Sequence, residues 1–252
     1  MKRILAFITV LVLLCGMLVS CDNALVMVQE ANKALEGAPY EMTVKTKFEC
    51  DDYDIYGILS SMNLEIPVTV DGKNISTNMS VGAMGFSVSA KVTLVDMVAY
   101  LDISMLGRQL KMKATLDEEA YNELMSESNA EMVINPEDFG SLDVETKDGK
   151  KYIACAEISD EALAELNDMM EQALKSVNGK ATVKDIVYSV TLNDGKYESM
   201  DMTCFYSVTV SDKACDVTFK LSADFAYDNI EEVVAPSDAS EYQEADLDNF
   251  LN

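Results

Sequence analysis

Most of the chain beyond Tyr40 alternates apolar with polar residues at the period of a β-strand, and shorter stretches carry the period of a helix. The first helical stretch starts at Asp22 or Asn23, either of which can cap it. It places Leu25, Val28, Ala31 and Leu35 on one face, and Gly37 and Pro39 stop it. In Tyr40–Phe48 the even positions are mostly apolar and the odd ones polar, as in a sheet wet on one face. Asp51–Asn63 follows neither period and reads as a loop. Strands are predicted over Ile66–Val70 and Asn74–Ser80, around a turn at Asp71-Gly72, and over Phe86–Leu94. A hairpin is predicted from Met97–Asp102 and Leu110–Leu116, turning through Gly107.

The second half opens with Thr115 and Glu118 at capping-box spacing. They predict a short helix from Asp117 to about Ser126 that buries Tyr121, Leu124 and Met125. Asn135–Asp138 can form a brief helical turn, and strands flank Lys147-Asp148-Gly149-Lys150, whose Asp-Gly pair marks a hairpin. Ser159 can cap a longer helix running to about Val177, with Leu163, Leu166, Met170, Leu174 and Val177 as its apolar stripe and Asn178-Gly179 as its end. Three alternating strands follow, through Ile186–Leu192, Met200–Val210 and Cys215–Phe225, with an Asp-Gly turn at 194–195. From Asp228 the chain becomes acidic and irregular, which predicts a loosely packed end. Each half thus offers a helix and then a run of antiparallel strands, the pattern of an α+β domain.

The head of the chain differs in kind. Lys2 and Arg3 precede an uncharged, almost wholly apolar run from Ile4, the layout of an export signal. The run is shorter than the ~20 residues of a stable membrane span. It ends in Leu18-Val19-Ser20-Cys21, which resembles the lipobox of bacterial lipoproteins. That resemblance implies cleavage before Cys21, a diacylglyceryl group on its sulfur, and a chain held on the extracytoplasmic face of the cell membrane. The expected divisions are a signal peptide over 1–20, one domain over 21–245 and a flexible acidic tail over 246–252.

The chain carries 19 Lys and Arg against 44 Asp and Glu, a net charge of −25, and cleavage would remove two more bases. Such a balance argues against nucleic acid, whose phosphates need cationic partners. Histidine is absent, which removes Ser-His-Asp and Cys-His catalysis and ordinary catalytic zinc sites. No phosphate loop or nucleophile elbow occurs, and the acid pairs Asp51-Asp52 and Glu231-Glu232 read as solvated. The reading is therefore of a monomer that is not an enzyme, with no cofactor, no metal and no catalytic residue. Cys50, Cys155, Cys204 and Cys215 show no metal-type spacing. Export permits disulfides among them, while their apolar positions fit buried free thiols equally.

Several stretches carry a resemblance to the LolA/LppX-like group of bacterial lipoprotein domains. Val98-Ala99-Tyr100-Leu101, Gly107 and Leu110-Lys111-Met112 are similar to the tyrosine-strand, turn, lysine-strand hairpin of such domains, although Gln109 and Leu110 stand where an aromatic residue usually precedes the lysine. The long predicted helix precedes a three-stranded meander in the matching order. Ala235-Pro236-Ser237-Asp238-Ala239 with Tyr242 resembles the closing segment of related Gram-positive lipoproteins of unknown role. The resemblance implies a curved antiparallel sheet, a half-barrel, with helices covering its concave face. It also implies an apolar space between the layers that could accept lipid or another hydrophobic ligand. The candidate lining is Met42, Val44, Tyr100, Met112, Met170, Leu174, Tyr188, Met200, Met202, Tyr206, Phe219 and Leu221. Methionine adapts to variable apolar partners, but methionines on such faces are more often plain core. The two expectations are a membrane-anchored lipoprotein binding a hydrophobic ligand, and an envelope interaction or scaffold lipoprotein with a filled interior.

Overall fold

In the computed structural model, residues 22–35, 38–52, 63–83, 86–118, 120–121, 139–158, 180–210 and 213–245 are described, with isolated positions at 160, 163–164 and 167. Helix α1 (Asp22–Leu35) leads into strands β1 (Tyr40–Cys50), β2 (Glu65–Asp71), β3 (Asn74–Ala83), β4 (Phe86–Val95), β5 (Val98–Met105) and β6 (Arg108–Thr115). Strands β7 (Phe139–Lys147), β8 (Lys150–Ile158), β9 (Lys180–Asn193), β10 (Lys196–Val210), β11 (Lys213–Ala226) and the two-residue β12 (Gln243–Glu244) complete the set. All twelve belong to one open sheet, ordered β12-β6-β5-β4-β3-β2-β1-β11-β10-β9-β8-β7.

This architecture corrects the expected fold. Among the described residues the protein is mostly β, one open mixed sheet of 12 strands with α1 as its one continuously described helix, and not an α+β half-barrel with helices over a concave face. The physical reason is continuity of strand pairing. Neighbours pair antiparallel from β2 through β6 in one run and from β7 through β11 in another, although residues 159–179 intervene between β8 and β9. The two runs then merge, because β1 pairs with β11 over ten positions, from Glu41 opposite Ala226 to Cys50 opposite Val217. What reads in sequence as two repeated halves is two wings of a single sheet. The alternation also extends further than expected: β9, β10 and β11 have 14, 15 and 14 residues.

Residues opposite one another in paired strands point to the same side. Val44 lies opposite Ala223 and Ile66, Ala223 opposite Met200, and Met200 opposite Val190, so one face is apolar across the centre. Helix α1 covers that centre with Ala24, Val28 and Ala31, each at most 1% exposed. The side of α1 agrees with the expectation at Val28, Ala31 and the half-buried Leu35. A second cluster under β4–β6 gathers Leu94, Leu101, Ala114 and Leu116 around Tyr121.

Local chemistry sets several joints. Asp194 and Gly195 take φ values of 49° and 75°, the doubly left-handed turn that matches strand twist. Pro67 stands inside β2, where it cannot donate to the ladder. Its carbonyl accepts a 3.0 Å hydrogen bond from the Thr77 hydroxyl, which helps explain a threonine on the buried side of β3. The Ala120 N–H donates to Asp117 Oδ1 at 2.8 Å, so Asp117 caps the short helical turn there. This displaces the expected Thr115–Glu118 box, since Thr115 is held in β6 opposite Val98.

The segment after β11 is another correction. It is packed through Ala245: Val233 and Tyr242 are 5% and 7% exposed, and β12 pairs in parallel with β6. Its acids find a lysine across the sheet, and pairing supplies order that composition does not forecast. The expected helical turn at Asn135–Asp138, Leu124 and Met125, and the tail 246–252 lie outside the described residues. So does most of the helix expected over Ser159–Val177. Its described positions Asp160, Leu163, Ala164 and Asn167 are helical, and Leu163 packs on the central core.

Candidate functional site

The proposed lining residues separate into three groups. Met42, Val44, Tyr188, Met200, Met202 and Leu221 lie together in the central core, each no more than 7% exposed. Phe219, Tyr206 and Met112 share that apolar face, with Phe219 bridging to a smaller cluster around Tyr206 and Met112 lying under β5–β6. Tyr100 is on the opposite face, because it sits opposite Lys113 and Thr93, out of phase with the buried Leu101. Met170 and Leu174 fall outside the described residues, as does Cys21. Where this lining is described at the centre, it is close-packed side chain against side chain and against α1.

The apolar face loses its cover toward one corner. At the β5–β6 hairpin tip, Met105, Leu106 and Leu110 are 50%, 64% and 45% exposed. Met105 and Leu110 continue the face that carries Ile103 and Met112. Leu106 occupies a left-handed turn position, φ 53°, usually held by Asn, Asp or Gly. A bulky apolar residue there packs against little and is strained by its own Cβ.

The opposite, polar face carries a constellation absent from the sequence reading. After β11 the chain crosses to the far edge strand, passing Tyr100 and Lys111. The Tyr242 ring meets Tyr100 edge-on at 5.3 Å, and Lys111 Nζ stands 5.8 Å from the Tyr242 ring centroid. That ammonium also pairs with Asp238 and, at 2.6 Å, with Glu241. Hydrogen bonds that Lys111 donates to Asp238 and then to Glu241 raise its pKa, and the same contact lowers that of Asp238. Lys113 pairs with Glu244 at 3.0 Å, and the Ala245 N–H donates to the Lys113 carbonyl at 2.9 Å. Beside this strap a shallow groove of about 250 Å³ is lined by Gln109, Leu110, Lys111, Glu241 and Gln243. The groove is polar and open, with Leu110 as its one apolar wall. Sequence spacing held no signal for the Lys111–Asp238 pair, whose members lie 127 positions apart.

Thiols gather at the end of the sheet where β1 finishes. Cys50 and Cys215 bring their sulfurs to 3.0 Å, and Cys204 lies on the same face one strand further on. Burial pushes the Cys204 thiol up to about 12. Among the described residues, no group of three or more Cys, Asp or Glu is placed to hold a metal ion, and no helix is long and apolar enough to cross a membrane. Set against known protein-family models and against curated proteins, the chain finds no match in either.

Proposed function

We propose that the chain is an extracytoplasmic lipoprotein, anchored through diacylglyceryl-Cys21, that acts by non-catalytic binding at the cell membrane. The observation that carries the reading is the absence of any spacer between anchor and fold. Helix α1 begins at Asp22, one residue after the lipobox cysteine, and by Ala24 it is buried on the sheet. Two acyl chains at ~0.8 kcal/mol per buried methylene hold a protein stably where one chain does not. A helix packed this close to the lipid keeps the whole sheet beside the bilayer, suited to an envelope interaction or scaffold role. The filled centre of the apolar face supports that role over enclosure of a ligand there.

The test is metabolic labelling with a palmitate analogue in a lipoprotein-processing host, with and without the signal-peptidase inhibitor globomycin. The reading expects label in the wild type, precursor accumulation under globomycin, and neither label nor membrane retention in Cys21→Ala. Wild-type protein that carries no lipid and leaves the membrane in a salt wash would end it.

A second reading, capture of an acyl chain or other apolar ligand, draws support from one place. The exposed Met105, Leu106 and Leu110 extend the half-buried Ile103 and Met112 into an uncovered apolar strip. Native mass spectrometry of the detergent-free domain tests it. Bound lipid that disappears in Leu110→Asp favours this reading, and an empty protein disfavours it.

A further inference from the structure

We propose that Cys50 and Cys215 form a native disulfide across the β1–β11 seam. Its formation in the cell rests on the export reading above, which supplies an oxidising compartment, and the geometry stands apart from it.

The two sulfurs are 3.0 Å apart, about 1 Å beyond a covalent S–S bond of ~2.05 Å. Both cysteines sit on the apolar side of adjacent antiparallel strands. Cys50 lies opposite Val217, and Cys215 is two positions along on the same face. Each is close to a strand end, Cys50 as the last residue of β1 and Cys215 as the third of β11. Backbone at strand ends is held by fewer ladder bonds than backbone at the centre, so the remaining approach needs little rearrangement.

The other pairings fail on position. Cys204 lies opposite Phe219 in β11, while Cys215 lies opposite Val208 in β10, four residues along the ladder. At ~3.4 Å per residue that offset is roughly 14 Å. Cys155 lies opposite Tyr188 in β9, and Cys204 is on the next strand, β10. With neighbouring strands ~4.8 Å apart, their backbones are at least about 9 Å apart, beyond disulfide reach. Of the ways to pair these cysteines, only Cys50–Cys215 joins neighbours. Cys50, Cys215 and Cys204 are all half-buried, so a reagent can reach each of them, and Cys204, out of reach of Cys215 along the ladder, stays a thiol.

The reaction is thiol–disulfide exchange with an oxidised dithiol protein or a small disulfide. One thiolate attacks the oxidant's S–S bond and forms a mixed disulfide. The second thiolate then displaces the oxidant's remaining sulfur. Two electrons and two protons leave the cysteine pair, and the oxidant departs as two thiols. The product closes a loop between positions 165 apart, the longest-range seam of the sheet. It removes entropy from the unfolded chain at the joint that makes one sheet from two wings.

The experiment uses the whole mature chain in two arms. Purified reduced protein is equilibrated with oxidised glutathione, and protein in its native cells is trapped by rapid alkylation. Both are then mapped by peptide mass spectrometry before and after reduction. The expected result in both arms is a mass lower by two hydrogens and a linked Cys50–Cys215 peptide, with Cys204 free. Reduction should lower the Tm by on the order of 5–10 °C. Cys50→Ser and Cys215→Ser should each lose the link, and Cys204→Ser should keep it. Glutathione adducts without a link in the purified protein would overturn the pairing itself. A link in glutathione with free thiols in cells would overturn the bond as a native feature. The Cys21 labelling experiment then tells whether export was the premise that failed.

Discussion

The Tyr197 hydroxyl donates a 2.7 Å hydrogen bond to Asn32 Oδ1, tying the last turns of α1 to the start of β10. Tyr197 is 1% exposed and its ring stacks on Phe225 at 5.4 Å. The helix nearest the proposed anchor is thus tied to the sheet by a polar contact set beside an aromatic stack, in addition to its apolar packing. Tyr197→Phe keeps the stack and deletes the donor, so it should cost about 1 kcal/mol. Tyr197→Ala also opens a cavity and should cost roughly 3–5 kcal/mol. Urea unfolding of the two variants checks the order; a Tyr197→Phe variant as stable as the wild type would mean that the hydrogen bond contributes nothing, and equal losses in the two would mean that the ring contributes nothing.

Met200 tests whether the proposed lining is core. It is 1% exposed and faces Ala223 and Val190 from the middle strand of the C-terminal run. Met200→Ala should destabilise by about 2–5 kcal/mol. Leu110→Ser, at a 45% exposed position, should stay within about 0.5 kcal/mol. A Met200→Ala variant as stable as the wild type would mean that the space around this side chain is not closely filled.

The strap should respond to acid and not to mild base. Asp238 has a lowered pKa in the fold because Lys111 hydrogen-bonds it. Its contribution is present above the unfolded carboxylate value, about 3.9, and is lost as pH falls through the lower folded value. Lys111 has a raised pKa, so its contribution is complete below the unfolded lysine value, about 10.4, and is lost only as pH rises through the higher folded one. Hydrogen exchange at the Ala245 amide should be flat in protection through neutral pH and lose protection below about pH 4. Lys111→Met should lose that protection at pH 7. Unchanged protection in the variant would show that β12 pairing alone holds the strap.

Leu106 presents the opposite case, a residue whose replacement should help the fold. A bulky side chain at φ 53° carries a left-handed penalty that Asn tolerates better. Leu106→Asn should therefore stabilise the isolated domain by up to about 1 kcal/mol. If the exposed tip serves binding, the same change should weaken lipid or partner retention. Thermal unfolding and native mass spectrometry on one sample separate the two effects.

The elements themselves were legible in sequence wherever a single period ran uninterrupted. The strands through Val44, Leu101, Val190 and Leu221 stand where alternation places them, and their apolar sides point inward. The Asp-Gly turns at 148–149 and 194–195 are hairpins because local backbone preference alone decides them. The candidate lining was legible as a face, since nine of its members share one side of the sheet. Tyr100 broke the prediction because it is out of phase with Leu101, a parity that its family-like hairpin context concealed.

What tertiary structure alone decided was the assembly of those pieces. Period-2 patterning says which side of a strand is buried, but it carries no information on which strand lies beside it. Pairing of β1 with β11 turned two apparent α+β halves into one sheet, and that choice lies in contacts between residues some 170 positions apart, such as Phe48 with Phe219. The Lys111–Asp238 and Cys50–Cys215 contacts follow from the same long-range closure. Hydrophobic periodicity is a local property of the chain, whereas strand order is set by the total burial of the finished sheet, a sum no single segment contains.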